Sequence, residues 1–267
     1  MRFALNQMGF PAEGLESNAE LLAEAGYDGI EPNLTADGPL WDDGAVDAFA
    51  DLTDELGLDV PAVSTTLHWD RPLSSPDEET RAAGVEAGER MIAVADALDA
   101  GAILVVPAVV DEGTPYDEAY DRALDSVREL AAVGAEAGVT VCVENVWNDF
   151  LLSPLEFAEF VDEAAEAGPV GAYFDVGNVR RFGRPEQWIR ILGDRIERIH
   201  VKDYRTDVDT IDAFTYPLEG DVDWDAVAGA LGDIDYDGWV TAEVPPYRTA
   251  PERMPPRVRS DLAHLFS

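Results

Sequence analysis

Four residues of the types that bind divalent cations each stand at the end of a short apolar run. They are Glu144 in VTVCVEN, Asp175 in VGAYFDVGN, His200 in RIERIHVKD and Glu243 in GWVTAEVPP. Each run is typical of a buried strand, where a polar group costs several kcal/mol unless it is paired or bound to a metal. The C-terminal ends of parallel strands in a barrel meet at one mouth, so residues far apart in sequence become neighbours. The pattern therefore predicts one metal site.

The chemistry of this site follows from its donor atoms. Three carboxylates and one imidazole suit Mn²⁺ first, with Mg²⁺, Co²⁺ and Zn²⁺ as competitors. A cation there polarises a carbonyl and holds the adjacent hydroxyl, which eases removal of the proton on the carbon between them and gives an enediolate. Glu144 and Glu243, on opposite sides of the substrate, would divide the acid and base roles and invert a stereocentre beside a ketone. A structural network of carboxylates with a hydrogen-bonded histidine is the alternative.

The elements that position these residues are eight apolar runs that alternate with stretches of helical period. The runs lie near residues 2–7, 27–32, 59–66, 101–107, 139–145, 170–176, 196–202 and 238–244. Strict alternation of strand and helix over 267 residues favours an α/β fold with one (β/α)8 TIM barrel over an open doubly wound sheet. We see no linker or low-complexity run, and we expect a single domain over residues 1–267.

The charge of the chain indicates its environment. There are 55 acidic residues against 18 basic ones, a net charge of −37, and Lys202 is the only lysine. Such a charge repels itself in dilute buffer and is screened in molar salt, so the chain looks halophilic. A surface this negative argues against nucleic-acid partners, which need clustered Lys and Arg.

Other features concern location and redox chemistry. The chain starts directly with a strand, shows no basic and apolar leader, and contains no apolar stretch long enough to span a bilayer. We therefore expect a cytoplasmic protein without a membrane partner. The only cysteine, Cys142, alternates with valines in the fifth strand and is expected to be a small core residue.

Several motifs carry a family resemblance. The stretches AGYDGIEPN, VENVWNDFLLSPLEFAEFVD, GAYFDVGNVRRFGRPEQWIRILGDRIERIHVKD and YDGWVTAEV resemble the sugar phosphate isomerase/epimerase group of xylose isomerase-like barrels, among them the ketose 3-epimerases and pentulose-5-phosphate 3-epimerases. Hydroxypyruvate isomerase and inosose dehydratase are further relatives. The resemblance implies that Glu144, Asp175, His200 and Glu243 bind the metal, and that the two glutamates are the acid/base pair. It also implies a sugar or sugar phosphate substrate and association as a homodimer or homotetramer.

The resemblance also implies substrate contacts. His68 in VSTTLHWDRPL is similar to a substrate-binding histidine, and Glu31 in GIEPN matches an acidic position that hydrogen-bonds sugar hydroxyls. Lys202 lies two residues after His200, on the same face of its strand, where it would bind an anion or orient a carboxylate. Trp147, on the loop after the fifth strand, would wall the pocket.

Two observations leave the substrate open. The free-ketose epimerases carry His three positions after the metal-binding Asp, whereas this chain has Asn178, which can bond a hydroxyl but cannot titrate. Arg71, Lys202 and Arg205 are candidates for a phosphate, but no Gly-rich loop clearly forms a phosphate nest. The substrate is therefore expected to be either a ketose or its phosphate.

Three alternative functions differ in what they require. An inosose-type dehydratase would use the same barrel and cation but eliminate water. A barrel endonuclease for abasic DNA needs a histidine-rich trinuclear zinc centre, and this chain has only 3 histidines. A non-catalytic sugar-binding barrel would bind ligand without proton exchange, and the complete ligand set argues against it.

Overall fold

Strands and helices alternate along the computed structural model, which describes residues 1–9 and 14–266. The strands are β1 (Arg2–Asn6), β2 (Gly29–Glu31), β3 (Asn33–Leu34), β4 (Ser64–Thr65), β5 (Ala102–Val105), β6 (Thr140–Glu144), β7 (Val170–Asp175), β8 (Ile196–Val201), β9 (Asp203–Tyr204), β10 (Phe214–Thr215) and β11 (Trp239–Ala242). The helices are α1 (Leu15–Glu24), α2 (Asp43–Leu56), α3 (Leu67–Asp70), α4 (Glu78–Ala97), α5 (Tyr116–Ala137), α6 (Pro154–Ala164), α7 (Val176–Arg180), α8 (Pro185–Leu192), α9 (Trp224–Asp233) and α10 (Met254–Phe266).

Seven strands form one sheet in the order β2-β1-β11-β8-β7-β6-β5. The pairs β1 with β2, β1 with β11, β8 with β11, β5 with β6 and β6 with β7 are all parallel. Because every parallel pair needs a crossover, helices connect successive strands of this sheet. Polar residues at the C-terminal ends of the strands therefore lie along the same edge.

The third predicted strand differs from the prediction. Instead of a continuous strand over 59–66, only β4 is regular, and single bridges join Asp59 to Gly29 and Val63 to Ile103. Pro61 lies in this stretch and has no N–H to donate to a ladder, which accounts for the interruption. The other seven predicted strands each contain an observed one.

Helix boundaries follow local chemistry. Asp77 caps α4 by accepting a hydrogen bond from the N–H of Thr80 at 2.8 Å, and Ser153 caps α6, with Pro154 as its first residue. At the end of α5, Gly138 takes a left-handed conformation (φ 72°) that a side chain would disfavour.

Contacts group the residues into two compact units. The first unit comprises Met1–Pro32, Asp51–Pro61 and Phe174–Ser267, and it contains β1, β2, β8 and β11. The second comprises Asn33–Ala50 and Ala62–Tyr173, where Ala62, Ala102, Leu104, Cys142 and Tyr173 form a buried apolar cluster. Cys142 is thus the buried core residue that the sequence predicts. None of the helices in the described ranges combines the length and the apolar character that crossing a membrane requires.

Candidate metal centre

Four residues at the C-terminal ends of strands form the candidate centre. Glu144 ends β6, Asp175 ends β7, His200 lies one residue before the end of β8, and Glu243 follows β11 directly. One ligand atom from each residue lies within 4.8 Å of the others. The first three residues are buried and Glu243 is partly exposed. The spacing and the chemistry of these atoms fit a single divalent cation.

Asp175 has a second role as the N-cap of α7. Its Oδ1 accepts a hydrogen bond from the N–H of Asn178 at 2.6 Å, and its Oδ2 accepts one from Nζ of Lys202 at 2.6 Å. Burial raises the pKa of Asp175 above its ordinary value, and the nearby Lys202 ammonium offsets part of this effect. Each carboxylate oxygen has two lone-pair directions, so these hydrogen bonds still leave Asp175 able to bind a cation.

Lys202 brings a positive charge between two of the carboxylates. Its ammonium contacts Glu243 as well as Asp175, and it lies 5.0 Å from the centre of the Phe214 ring. Burial alone raises the pKa of Glu243, but the positive charge of Lys202 and its hydrogen bond outweigh this effect and the net direction is downward. Lys202 thus contacts the carboxylates that it could orient, and its contact with a substrate anion stays a prediction.

His200 is held from the side by Glu31. Its Nε2 donates to Oε1 of Glu31 at 2.9 Å, and its Nδ1 lies 4.0 Å from Oε2 of Glu243. The side-chain amide of Asn6 donates to the same Glu31 oxygen at 2.5 Å. Nδ1 is therefore the imidazole nitrogen that faces the other ligands, as a metal-binding histidine requires.

The remaining predicted substrate contacts have separate surroundings. His68 is fully buried on α3 and donates through Nε2 to the carbonyl of Gly84 at 3.2 Å, and burial lowers its pKa to about 4. Asn178 is buried beside Asp175, Arg71 and Trp147 are partly exposed, and Arg205 is exposed. Whether these residues contact substrate stays a prediction.

Sequence reasoning missed three residues near the site. Asn6 ends β1 with a buried polar side chain, which is the same signal that marks the four ligands. Phe214 comes from the hairpin of β9 and β10, for which the sequence has no clear pattern. Asp203 is buried and accepts hydrogen bonds from the N–H groups of Tyr204, Leu218 and Val222 and from the Trp224 indole, which fixes the loop after β8.

The fold, together with these four candidate ligands, is typical of barrels that carry a metal centre at the C-terminal ends of their strands. The chain belongs to the xylose isomerase-like TIM barrel family, whose model matches residues 19–266. This membership confirms the predicted (β/α)8 fold. The chain is 23% identical over 156 residues to an inosose dehydratase of Bacillus thuringiensis (strain Al Hakam), a match that covers 53% of this chain and 52% of that protein. The chain thus spans about half the length of the curated relatives it matches.

Solved structures with the same fold cover the whole chain. An L-ribulose 3-epimerase superposes with a TM-score of 0.83 at 20% identity over 99% of this chain and 94% of that one. The IOLI protein with a bound zinc atom gives a TM-score of 0.86 at 20% identity over 100% and 98% of the two chains. At this identity the likeness establishes the fold.

Proposed function

We propose that this chain is a divalent-metal-dependent enzyme that isomerises or epimerises a small ketose or ketose phosphate through an enediolate. The observation that carries the proposal is the convergence of Glu144, Asp175, His200 and Glu243, with one ligand atom of each within 4.8 Å of the others. Mn²⁺ is the cation we expect from three carboxylates and one imidazole, and Zn²⁺, Mg²⁺ and Co²⁺ are the alternatives.

The two glutamates supply the proton chemistry. When bound, a divalent cation polarises the substrate carbonyl and holds the neighbouring hydroxyl. Glu144 ends β6 and Glu243 follows β11, so the two glutamates come from separate parts of the sheet edge, and we assign one to each face of the substrate carbon. One carboxylate removes the proton, and the other glutamate, protonated, returns a proton to the opposite face.

Lys202 favours the protonation state of Glu243 that proton removal requires. The ammonium beside Glu243 favours the ionised carboxylate, which is the form that can accept a proton. Asp175 and His200 act as ligands only. His68, Lys202, Asn178, Trp147, Arg71 and Arg205 remain the proposed substrate contacts. The proposal also covers a cytoplasmic location and association into a homodimer or homotetramer.

A dehydratase of the inosose type is the second candidate. It is favoured by the curated relatives named inosose dehydratase, which match about half of the chain at 23% to 26% identity. Such an enzyme would use the same carboxylates to remove the proton beside the carbonyl and then expel a hydroxyl as water. The two candidates differ in product, because only the dehydratase loses water.

Solvent deuterium exchange tests both candidates. The Mn²⁺-loaded protein is incubated in D₂O at molar salt with ketoses, ketose phosphates and inososes, and NMR spectra are recorded after the metal is removed. Deuterium beside the carbonyl together with a new epimer or isomer supports the first candidate, and a dehydrated product supports the second. If metal binds and no compound exchanges, a non-catalytic sugar-binding barrel becomes the better account.

A further inference from the structure

We propose that Glu31 and Asn6 are positioning residues for His200, and that Glu31 fixes the tautomer through which His200 binds metal. This inference rests on the proposed metal centre but does not depend on which substrate is turned over. It assigns Glu31 a role different from the substrate contact that the family resemblance implies.

The direction of the hydrogen bonds is fixed by a backbone donor. The N–H of Met8 donates to Oδ1 of Asn6 at 2.8 Å, which identifies that atom as the oxygen of the amide. The Nδ2 group of Asn6 must then face Glu31, and it donates to Oε1 at 2.5 Å. Glu31 can only accept this bond. We assign the 2.9 Å contact between the same oxygen and Nε2 of His200 to an Nε2–H donor, because a carboxylate oxygen accepts.

The three side chains are buried away from water, where hydrogen bonds are stronger and their protons exchange slowly with solvent. Asn6, Glu31 and His200 are each 0% exposed. A buried carboxylate is tolerated when donors surround it, and both Asn6 and His200 contact Oε1 of Glu31 within hydrogen-bond distance. The imidazole is therefore held with its proton on Nε2 and with Nδ1 directed at Glu243, 4.0 Å away.

The sheet explains how Glu31 reaches a histidine on a strand that is not its neighbour. In the order β2-β1-β11-β8, two strands separate Glu31 from His200. The residues in register beside His200 are Thr241 on β11 and then Ala4 on β1, and both have small side chains. Glu31 itself is in register with Asn6. The small residues leave room on this face, and Asn6 supports the carboxylate that crosses it.

Histidine NMR tests the proposal directly, because the chain has only 3 histidines. The protein is labelled with ¹⁵N-histidine, and spectra are recorded without metal and with Zn²⁺, a diamagnetic probe. His264→Gln and His68→Gln assign the other two signals. We expect His200 to carry a slowly exchanging Nε2–H in both states and its Nδ1 signal to shift on adding Zn²⁺. An Nδ1–H tautomer, or zinc on Nε2, overturns the proposal.

Metal affinity gives the second readout. Loss of a partner that orients a metal-binding histidine typically weakens metal binding by about 10- to 100-fold. We expect a loss in this range for Glu31→Leu, with a mixture of His200 tautomers, and a smaller loss for Asn6→Ala. Glu31→Gln keeps an acceptor oxygen and should recover part of the affinity. Unchanged affinity and tautomer in Glu31→Leu contradict the proposal.

Asp203→Asn is the matched control. Asp203 is a buried acid close to the end of β8, but its partners are in the loop after that strand. We expect this variant to lose stability while His200 keeps its tautomer and Zn²⁺ affinity stays close to wild type. If Asp203→Asn weakens Zn²⁺ as much as Glu31→Leu does, the effect is general instability and the proposal is wrong. The wild-type spectrum needs no variant, so a Glu31→Leu chain that does not fold leaves the tautomer test intact.

The outcome is separable from that of the proposed function. Wild-type protein with the expected tautomer and Zn²⁺ shift, but without deuterium exchange on any sugar, supports the role of Glu31 and contradicts the proposed activity. Wild-type protein that exchanges deuterium while His200 carries its proton on Nδ1 supports the proposed activity and contradicts the role of Glu31.

Discussion

The ammonium of Lys202 lies 2.6 Å from Oδ2 of Asp175, and it contacts Glu243 with the same nitrogen. The lysine and Asp175 are buried and Glu243 is partly exposed. The only lysine of the chain therefore lies between two candidate metal ligands. A charge in this position partly neutralises these two carboxylates, which would otherwise repel each other.

Replacing Lys202 by Met should therefore lower stability and activity together. Removing one partner of a buried ion pair typically costs about 3 to 5 kcal/mol, because the remaining charge is left uncompensated. We expect the free energy of unfolding of the metal-free protein to fall by an amount of this order, measured by urea denaturation. Lys202→Arg keeps the charge and should retain more stability. Equal losses in both variants would show that packing, rather than charge, is the reason.

Glu144→Gln and Glu243→Gln should each block proton transfer on one face of the substrate. Glutamine keeps the size of the side chain and can still bind through an oxygen, but it cannot accept a proton at neutral pH. We expect turnover to fall by about 10²- to 10⁴-fold, the usual contribution of a general acid or base. Deuterium exchange measured from each of two epimers separates the roles.

The two variants should have complementary defects. Each glutamate takes the proton from one epimer and delivers a proton when that same epimer is formed, so each variant should fail to exchange one epimer and still exchange the other in single-turnover experiments. Asp175→Asn is the comparison, since Asp175 is a proposed ligand without an acid/base role and should reduce exchange of both epimers equally. Identical patterns in both glutamine variants would contradict the division of roles.

The four candidate ligands could be predicted from the sequence because each stands at the end of a short apolar run. Such a run is a local pattern that indicates a buried strand. Glu144 and Asp175 end their strands as expected, and the shared edge follows from parallel pairing. The contact of Glu31 with His200 could not be predicted, because the two residues are 169 positions apart and no local pattern records which partner a buried carboxylate selects. The family resemblance implies a substrate contact for Glu31, which stays a prediction, and the partners observed in the structure are the side chains of Asn6 and His200.

Two features of the fold could not be predicted from the sequence, for similar reasons. The run over 59–66 has the composition of a strand, yet Pro61 interrupts its ladder. The hairpin of β9 and β10 depends on Asp203, whose carboxylate collects four donors from residues 204 to 224. These four donors surround the Asp203 carboxylate only when the loop has folded, so no local sequence pattern predicts the arrangement.

Gly177→Ala should displace Lys202. A Cβ added at Gly177 would lie 2.6 Å from Cγ and 2.7 Å from the carbonyl oxygen of Lys202, and the backbone oxygen cannot move aside easily. Overpacking of this kind typically costs about 1 to 3 kcal/mol. We expect a loss of stability in this range by thermal unfolding, together with weaker metal binding. The control is Gly229→Ala on α9, where an added Cβ meets nothing within 4 Å and helix propensity favours alanine.

His68 should make the protein less stable in acid. Its pKa is lowered to about 4 in the folded state from an ordinary 6.5, because burial disfavours the charged imidazole. The unfolded chain therefore binds a proton that the folded chain does not. The contribution of the neutral histidine is complete above pH 6.5 and is lost as the pH falls toward 4, up to about 3 kcal/mol.

His68→Gln isolates this effect, since carboxylates titrate in the same pH range. Glutamine can still donate to the carbonyl of Gly84 but has no proton to gain. The difference in free energy of unfolding between wild type and variant, followed by urea denaturation from pH 7.5 to 4, should change by about 3 kcal/mol in favour of the variant as the pH falls. A constant difference over this range would show that His68 titrates normally in the folded protein.

The net charge of −37 should make stability strongly dependent on ionic strength. Raising salt from about 0.1 M to about 1 M shortens the Debye length from about 10 Å to about 3 Å, which screens repulsion among surface carboxylates. We expect the unfolding midpoint to rise by about 10 °C or more, equivalent to roughly 3 kcal/mol for a chain of this size. If screening is the cause, chlorides of different monovalent cations should act alike and the gain should level off near 1 M. A gain that grows linearly beyond this concentration, and that is much larger for sulfate than for chloride at equal ionic strength, would instead indicate strengthened burial of apolar surface.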